Sequence, residues 1–326
     1  MTDATSPSPA PDSIRVPLAR GFKEWFFRGL FYLLLFLIFR TFFGPPFSLP
    51  FQRRILRWLG VTAPAAPGAT RTPGQLGGVP VDIVRPAQIT NPAVLLYIHG
   101  GAFMVGSPDS HRALTTRLAI ETGSVVYSVD YRLAPEHPYP AGLDDCLACY
   151  RALLDQGVPH ERIVIAGDSA GGTLTLGVAL RARELGWPQP AGLMPLSPAT
   201  NMGTTTGSHW QYRFSDPMLR RGWMYQAIAA YAMPPSDARL LGTQADLTGL
   251  APMYIQVGEW ESLYDDSVDL AEHARRCGVP ATLDVQEGLW HVYQLQAREL
   301  ASARAAIARL ARQFTRWTMP DAPQGT

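Results

Sequence analysis

The sequence Ile163–Leu180, IVIAGDSAGGTLTLGVAL, leads from a short apolar run into a helical pattern through the pentapeptide GDSAG, which is centred on Ser169. A G-x-S-x-G sequence between a strand and a helix predicts a sharp, strained turn that exposes the serine hydroxyl. The two glycines allow the strand and the helix to approach closely. The amide groups at the start of the helix favour negative charge that develops nearby. Ser169 is therefore the candidate nucleophile.

Apolar runs and helical patterns alternate along the chain from about residue 81. The candidate strands are Val94–Ile98, Ser124–Asp130, Arg162–Ala166, Leu193–Leu196, Met253–Val257 and Ala281–Val285. The candidate helices are His111–Glu121, Ala141–Gln156, Gly172–Leu185, Asp266–Cys277 and Gln296–Trp317. Short continuous apolar runs are expected of strands that are buried on both faces. The alternation predicts the α/β class, with a mostly parallel central sheet flanked by helices.

A second glycine-containing loop follows the first of these candidate strands. It has the sequence HGGAF, from His99 to Phe103. Acyl transfer needs backbone N–H groups that point at the oxyanion of the tetrahedral intermediate, and a glycine run after a strand exposes such groups. The candidate donors are the amides of Gly100, Gly101 and Ala102, together with that of Ala170 beside the serine.

The general base is sought beyond the nucleophile, because in α/β-hydrolases the order along the chain is serine, acid and histidine. Two histidines, His273 and His291, lie in the required region. His273 falls within a regular helical pattern. His291 follows the last candidate strand in the loop sequence GLWHVYQL, from which an imidazole can reach the nucleophile. His291 is therefore the candidate general base.

The acid is expected on the loop after Met253–Val257, where the sequence GEWESLYDDS offers four carboxylates. Glu259, Glu261, Asp265 and Asp266 compete for the role of accepting a hydrogen bond from the imidazole. Asp265 and Asp266 are also suited to the start of the helix that follows. Glu261 is favoured, and the family pattern below adds to this preference.

Six pieces of the sequence resemble the bacterial hormone-sensitive-lipase family of esterases. In order they are YIHGGAF, DYRLAPEHPYPA, GDSAGG, LSP, DLTGLAPMYIQVG and GLWH. The resemblance covers residues 93 to about 312. It implies the α/β-hydrolase fold with a helical cap, formed partly by N-terminal residues and partly by an insertion over about residues 199–240.

The resemblance also implies hydrolysis of small-molecule carboxylic esters through an acyl-enzyme, with short to medium acyl chains and with no metal or organic cofactor. Two positions depart from the family pattern. Ala102 replaces the third glycine of the oxyanion loop, and its methyl group narrows the site. Glu261 stands where the usual motif has aspartate, so its longer side chain must fold back to reach His291.

Three other activities are weighed against that of an esterase. A deacetylase or amidase with the same triad would differ only in the leaving group, and a membrane-associated lipase would differ in the physical state of the substrate. A ligand-binding receptor on this fold is disfavoured because both Ser169 and His291 are present. Candidate pocket residues are Phe103, Asp168, Trp210, Met218 and Trp290, with Trp290 on the alcohol side.

The N-terminal part of the chain divides into three segments by composition. Residues 1–20 predict a disordered tail and residues 61–80 a linker into the catalytic domain, residues 81–320. Residues 21–60 form an apolar helical segment. Within it, Trp25–Phe43 is nearly continuous in large apolar residues. This stretch predicts a helix over the active-site mouth, a helix in a membrane interface, or a membrane anchor.

Charge and cysteine content limit the partners and the compartment. The 326 residues have a formal net charge of +1 and no basic block, which argues against a nucleic-acid partner. Three cysteines fit a reducing compartment, so the cytoplasm is predicted, with membrane association as an alternative. Cys146 and Cys149 form a C-x-x-C inside a candidate helix, which favours simple packing. The oligomeric state stays open, with a homodimer as one hypothesis.

Overall fold

The computed structural model describes residues 13–201, 207–234, 237, 242 and 244–319. Nine strands in this part of the chain form one sheet. They are β1 (Ser13–Val16), β2 (Ala69–Leu76), β3 (Val79–Pro86), β4 (Val94–Ile98), β5 (Val125–Val129), β6 (Ile163–Asp168), β7 (Gly192–Leu196), β8 (Met253–Gly258) and β9 (Ala281–Gln286). Their order across the sheet is β1-β9-β8-β7-β6-β4-β5-β3-β2.

All neighbouring strands from β1 to β5 in that order pair in parallel. Two pairings in the sheet are antiparallel: β3 pairs with β5, and β2 forms a hairpin with β3. The carboxyl ends of the parallel strands therefore share one edge of the sheet, which is where ligands bind in open α/β folds. The expected fold, a mostly parallel central sheet flanked by helices, is confirmed.

The helices surround this sheet and extend over its functional edge. They are α1 (Phe22–Phe42), α2 (Leu49–Thr62), α3 (Arg112–Thr122), α4 (Ala141–Asp155), α5 (Ala170–Glu184), α6 (Gly207–Gln211), α7 (Arg221–Tyr231), α8 (Tyr264–Arg276) and α9 (Ala301–Thr318). Helices α4, α5 and α8 pack on one face of the sheet, and α3 and α9 pack on the other.

The two faces of the sheet belong to two separate apolar cores because side chains alternate along each strand. In β4, Leu96 and Ile98 join the core under α4 and α5, whereas Leu95 and Tyr97 join the core under α3 and α9. The continuous apolar runs in the sequence follow from this arrangement, since both faces of the central strands are buried.

Helices α1, α2 and α7 lie over the carboxyl edge of the sheet and form a cap. Phe43, just beyond α1, contacts the Trp223 ring of α7 edge-on, with 5.3 Å between ring centroids. Tyr32 Oη donates a hydrogen bond of 2.6 Å to the Ser215 carbonyl, and the Arg40 guanidinium donates to the Asp216 carbonyl at 2.9 Å. Helices α6 and α7 lie within the insertion expected over residues 199–240, of which residues 202–206, 235, 236 and 238–240 are outside the described part.

Two expectations about the N-terminal part of the chain are wrong in part. The predicted disordered tail of residues 1–20 includes Ser13–Val16, which extend the sheet as β1 beside β9; residues 1–12 lie outside the described part. The predicted linker of residues 61–80 includes Ala69–Leu76, the edge strand β2. Both are strands at the edges of the sheet. Their solvent-facing side chains need not be apolar, so neither has the continuous apolar run of a central strand.

Candidate active site

Ser169 lies on the turn between β6 and α5, with φ 53° and ψ −120°. A positive φ is unfavourable for a residue with a side chain, and such strain persists only where the surroundings enforce it. A Cβ atom on Gly171 would lie 2.0 Å from the Ile98 carbonyl oxygen, and one on Gly167 would lie 2.4 Å from the Gly171 oxygen. Both glycines are therefore needed for the close approach of β4, β6 and α5 that forms this turn.

His291 and Glu261 form a buried pair on the loops after β9 and β8. His291 Nδ1 and Glu261 Oε1 are 3.0 Å apart. The second carboxylate oxygen, Oε2, accepts hydrogen bonds of 2.9 Å from Ser197 Oγ and from the Gly258 amide. With Nδ1 engaged as the donor, Nε2 of His291 is the nitrogen that can exchange protons with a nucleophile.

The three competing carboxylates have other partners. Glu259 pairs with Arg15 and accepts a hydrogen bond from the Gly288 amide at 3.0 Å. Asp265 accepts from the Ser208 amide at 2.6 Å. Asp266 lies 2.6 Å from His209 Nε2. Only Glu261 among the four contacts His291, so the structure brings together the pair that the sequence favoured.

The pKa of His291 is raised above its usual value by its surroundings. Burial alone would lower this pKa, but the hydrogen bond from Nδ1 to Glu261 and the charge of that carboxylate outweigh the burial. A raised pKa makes Nε2 a better proton acceptor when the ring is neutral. The pair is thus arranged to stabilise the imidazolium that forms when His291 accepts a proton.

The oxyanion loop presents unpaired amides beside Ser169. Gly101, Ala102 and Phe103 all have positive φ, at 120°, 54° and 61°. In the described part of the chain the N–H groups of Gly101 and Ala102 have no hydrogen-bond partner. Ala170 is the first residue of α5, where an amide has no acceptor within the helix. These three amides can serve as oxyanion donors.

Gly100 does not fit the donor role that the sequence suggested. Its N–H donates a hydrogen bond of 3.0 Å to Asp168 Oδ1 and is not free to bind an oxyanion. A Cβ at this position would lie 2.2 Å from Asp168 Oδ2, so the glycine is required by the close approach of that carboxylate. Gly100 therefore fixes the loop to the nucleophile turn.

Two small cavities flank Ser169. One, of about 70 Å³, is lined by Ser169, His291 and Gly101, with Phe39 and Leu56 of the cap above them. The other, of about 50 Å³, also has Ser169 in its lining. Its lining includes Ala102, Phe103, Ala170, Trp223, Met224 and Ile228. Ser169 lies at the junction, as a nucleophile must if the two sides of an ester bond are to occupy different cavities.

Known proteins are similar to this chain in sequence and in fold. A family model described as an alpha/beta hydrolase fold matches residues 95–295. The chain is 36% identical over 245 residues to an acetyl-hydrolase of Streptomyces hygroscopicus, covering 72% of this chain and 82% of that protein. It is 36% identical over 262 residues to an esterase of Acinetobacter venetianus, covering 79% and 86%.

Among solved structures, a hormone-sensitive lipase from a metagenome library aligns with a TM-score of 0.84 at 35% identity, covering 89% of this chain and 99% of that one. The chain belongs to the bacterial hormone-sensitive lipase family of α/β-hydrolases. Another esterase of that family aligns with a TM-score of 0.85 at 31% identity, covering 92% and 100%. As a member of this family, the protein is an enzyme of the carboxylic ester hydrolase class.

Two of the five expected pocket residues of this esterase lie in the cavity walls as apolar side chains. Phe103 lines the smaller cavity and stacks on Tyr231 with 3.9 Å between ring centroids. Met218 lines the larger one. Asp168 also borders the larger cavity, but its carboxylate is engaged by protein groups and serves to hold the site together.

The other two expected pocket residues line neither of these cavities. Trp210 is 51% exposed and carries the Arg213 guanidinium 3.7 Å above its ring, away from both cavities. Trp290 is fully buried beside His291 in sequence, but its ring turns toward Tyr32 of α1 and its Nε1 donates to Gln296. A residue next to a catalytic residue in the sequence need not point into the same cavity. Here the Trp290 side chain packs against Tyr32 of α1 instead.

A buried ion pair beneath the oxyanion loop was not anticipated. Asp168 accepts hydrogen bonds from Tyr97 Oη at 2.6 Å and from Gly100, and lies 3.2 Å from His111 Nε2. Burial alone would lower the pKa of His111, but the Asp168 carboxylate outweighs it and raises that pKa. Burial lowers the pKa of the neighbouring His99 to about 3. His111 and Asp168 thus form a buried pair that joins the start of α3 to the nucleophile turn.

Ser197 and Asp216 were also missed. Ser197 has φ 47° and donates a hydrogen bond to Glu261. Its position in the LSP motif is the feature of the sequence that could have identified it. Asp216 accepts from the amides of Met218, Leu219 and Ser262, and so ties the cap to the acid loop. Nothing in the sequence around Asp216 marks this role. In the described residues no cluster of histidine, cysteine and carboxylate side chains could hold a metal ion.

Proposed function

We propose that this esterase hydrolyses small-molecule carboxylic esters through Ser169, His291 and Glu261. The observation that carries the proposal is a shared cavity: the strained Ser169 turn and the Glu261-bonded imidazole of His291 line the same space. Among the described residues, the hydrogen-bond partner of that imidazole is the Glu261 carboxyl group, which two further hydrogen bonds orient. This combination is that of a serine hydrolase triad.

The reaction proceeds through an acyl-enzyme. Ser169 Oγ attacks the ester carbonyl carbon while His291 Nε2 accepts the hydroxyl proton. The tetrahedral oxyanion accepts hydrogen bonds from the amides of Gly101, Ala102 and Ala170. As the C–O bond breaks, His291 returns the proton to the departing alcohol. Water then attacks the acyl-enzyme by the same steps, releasing the acid and restoring Ser169.

The acyl chains that fit beside Ser169 are short to medium. His291 must reach the leaving oxygen, so the alcohol side of the substrate belongs in the cavity that His291 lines. The acyl side then belongs in the second cavity of about 50 Å³, whose lining includes the oxyanion loop and Trp223. A space of this size accepts a few carbon atoms without displacement of the cap.

The test is p-nitrophenol release from acetyl, butyryl, octanoyl and palmitoyl esters by the wild type and by folded Ser169→Ala. The wild type should prefer acetyl or butyryl esters, and Ser169→Ala should lose about 10⁴-fold or more in kcat. A palmitoyl optimum would contradict the acyl assignment. Equal activity of the two proteins would contradict the nucleophile.

An amidase or deacetylase with the same triad is distinguished by its leaving group. Paired measurements with p-nitrophenyl acetate and p-nitroacetanilide separate the two activities, and we expect turnover of the ester alone. A binding protein that resembles this family without catalysis would be inert toward both compounds.

The cysteines favour the cytoplasm as the location of this protein. All three are unpaired, and Cys146 and Cys149 are buried inside α4. Burial raises the pKa of the Cys149 thiol to about 12, so the C-x-x-C is supported as packing rather than as a redox pair. Association with a membrane surface through α1 is the second candidate property, favoured by the exposure of large apolar side chains along that helix.

A further inference from the structure

Helix α1 is apolar on the side that faces away from the protein. Its outward residues recur at helical spacing and include Phe22, Trp25, Phe26, Leu30, Leu33, Leu34 and Leu37, which are all exposed. Leu33 and Leu37 are 54% and 53% exposed. A helix on the surface of a globular protein normally turns polar residues outward. With 21 residues, this apolar stripe is about 30 Å long.

The inward side of α1 is fixed to the body of the protein along its length. Near its start, the Glu24 carboxylate accepts hydrogen bonds from the amides of Ala301 and Ser302, which begin α9. In its middle, Tyr32 binds the Ser215 carbonyl, and near its end Arg40 binds the carbonyl of Asp216. The helix therefore lies along the surface, with its apolar stripe parallel to that surface.

The chain segment that contains this stripe is strongly basic. Residues 20–58 contain seven arginine or lysine residues and one glutamate, a net charge of +6 in a chain whose total is +1, so the remaining residues carry −5. The glutamate is the buried Glu24. Four of the cations are exposed, namely Arg20, Lys23, Arg54 and Arg57. Basic side chains beside an exposed apolar helix complement an anionic lipid surface.

A largely apolar cleft on the same surface adjoins the cavity that the catalytic serine lines. The cleft has a volume of about 460 Å³ and runs between α1 and α2, with the exposed Leu34 and Trp58 at its outer end. Its inner end shares Phe39, Leu56 and Met218 with the cavity that His291 and Ser169 line. The cleft continues the alcohol side of the substrate site.

We propose that the outward face of α1 lies in the surface of an anionic lipid bilayer, and that esters with a long apolar alcohol part enter from the bilayer through the α1–α2 cleft. The cap then serves two purposes, because one side of α1 covers the active site while the other contacts lipid. The substrate class deepens the proposed function and rests on it: a short acyl group beside Trp223 and an apolar alcohol chain in the cleft.

The docking face is tested by flotation with vesicles of phosphatidylcholine mixed with phosphatidylglycerol. The full chain is compared with Leu33→Glu/Leu37→Glu and with the matched control Leu185→Glu, an exposed leucine just beyond α5. We expect the wild type and Leu185→Glu to float, and the double variant to lose vesicle binding by about tenfold or more. All three should hydrolyse soluble p-nitrophenyl acetate equally, since neither Leu33 nor Leu37 lines a cavity.

The route through the cleft is tested with dodecyl acetate dissolved in the same vesicles. Its hydrolysis should fall about tenfold or more in the double variant and stay unchanged in Leu185→Glu. Independently, Ile38→Trp narrows the cleft and should lower the ratio of kcat/KM for hexyl acetate to that for ethyl acetate.

Three results would overturn the proposal. They are a wild type that does not float, a double variant that floats as well as the wild type, and a wild-type dimer that dissociates in the double variant, which would assign the face to a second copy of the chain. Failure of the proposed function is recognised separately, because flotation does not need catalysis and p-nitrophenyl acetate does not need the bilayer.

Discussion

Glu261 Oε1 lies 3.0 Å from His291 Nδ1, and both side chains are closed off from solvent. Glutamate is one methylene longer than the aspartate usual at this position, and the extra length is accommodated because Ser197 and the Gly258 amide hold the other carboxylate oxygen. The carboxylate is thus fixed at both oxygens. Ser197 follows β7 and Gly258 ends β8, so the ends of these two strands help to set the position of the carboxylate relative to the imidazole.

Replacement of Glu261 by glutamine should remove the charge that stabilises the imidazolium while leaving the shape of the side chain. We expect kcat for p-nitrophenyl butyrate to fall by about 10³- to 10⁴-fold. The matched control is Glu259→Gln, two residues away, whose carboxylate binds Arg15 and the Gly288 amide. Its kcat should stay within about twofold of wild type. Comparable losses in both variants would remove Glu261 from the triad.

The pH dependence of kcat/KM should follow the ionisation of His291. The imidazole accepts a proton only when neutral, so activity falls as the pH drops through its pKa. Since Glu261 raises that pKa, the acid limb of the profile should lie above the usual histidine value of about 6.5. In Glu261→Gln the limb should move to lower pH. A wild-type limb below about 6.5 would contradict the assignment.

Ser197→Ala should impair catalysis through the orientation of Glu261. The variant loses the hydrogen bond from Ser197 Oγ to Glu261 Oε2, a bond to a charged group worth about 1.5–3 kcal/mol. We expect a loss of about 10- to 100-fold in kcat with little change in KM. Ser128→Ala is the matched control, because the Ser128 hydroxyl is equally buried and has no hydrogen-bond partner in the described residues. A change in KM alone would argue against a positioning role.

His111→Ala should destabilise the fold by leaving Asp168 as a buried charge without its cationic partner. Breaking a buried ion pair in this way lowers the free energy of unfolding by about 3–5 kcal/mol. The folded-state pKa of His111 is raised, so its contribution is full below the unfolded pKa of about 6.5 and declines as the pH rises through the folded pKa. Urea unfolding at about pH 6 measures the effect. His137→Ala, at an exposed position, should change it by less than about 0.5 kcal/mol.

The parts of the site that the sequence predicted are those set by local backbone requirements. The Ser169 turn needs glycines at fixed spacing, and the loop after β4 needs Gly101 at φ 120°, so both leave a readable pattern. His291 could be predicted from the sequence because its loop follows the last strand along the chain. The central strands were predictable for a related reason, since burial on both faces demands continuous apolar runs.

The parts that were missed depend on contacts between distant segments. The bond from Gly100 to Asp168 and the ion pair of Asp168 with His111 join residues 57 to 68 positions apart. Trp290 lines neither cavity beside Ser169 because its ring packs against Tyr32 of α1, which is far away in the chain. Edge strand β1 pairs with β9 across 270 positions. No local pattern specifies such partners.

The most direct test of the account is to identify the residue that becomes covalently modified. The wild type is incubated with diethyl p-nitrophenyl phosphate, which phosphorylates an activated serine, and the adduct is mapped by mass spectrometry of proteolytic peptides. We predict one diethylphosphoryl group, on Ser169, formed in step with the loss of esterase activity, and a rate of modification strongly reduced in Glu261→Gln. Modification of another serine, or loss of activity without an adduct on Ser169, would contradict the proposed mechanism.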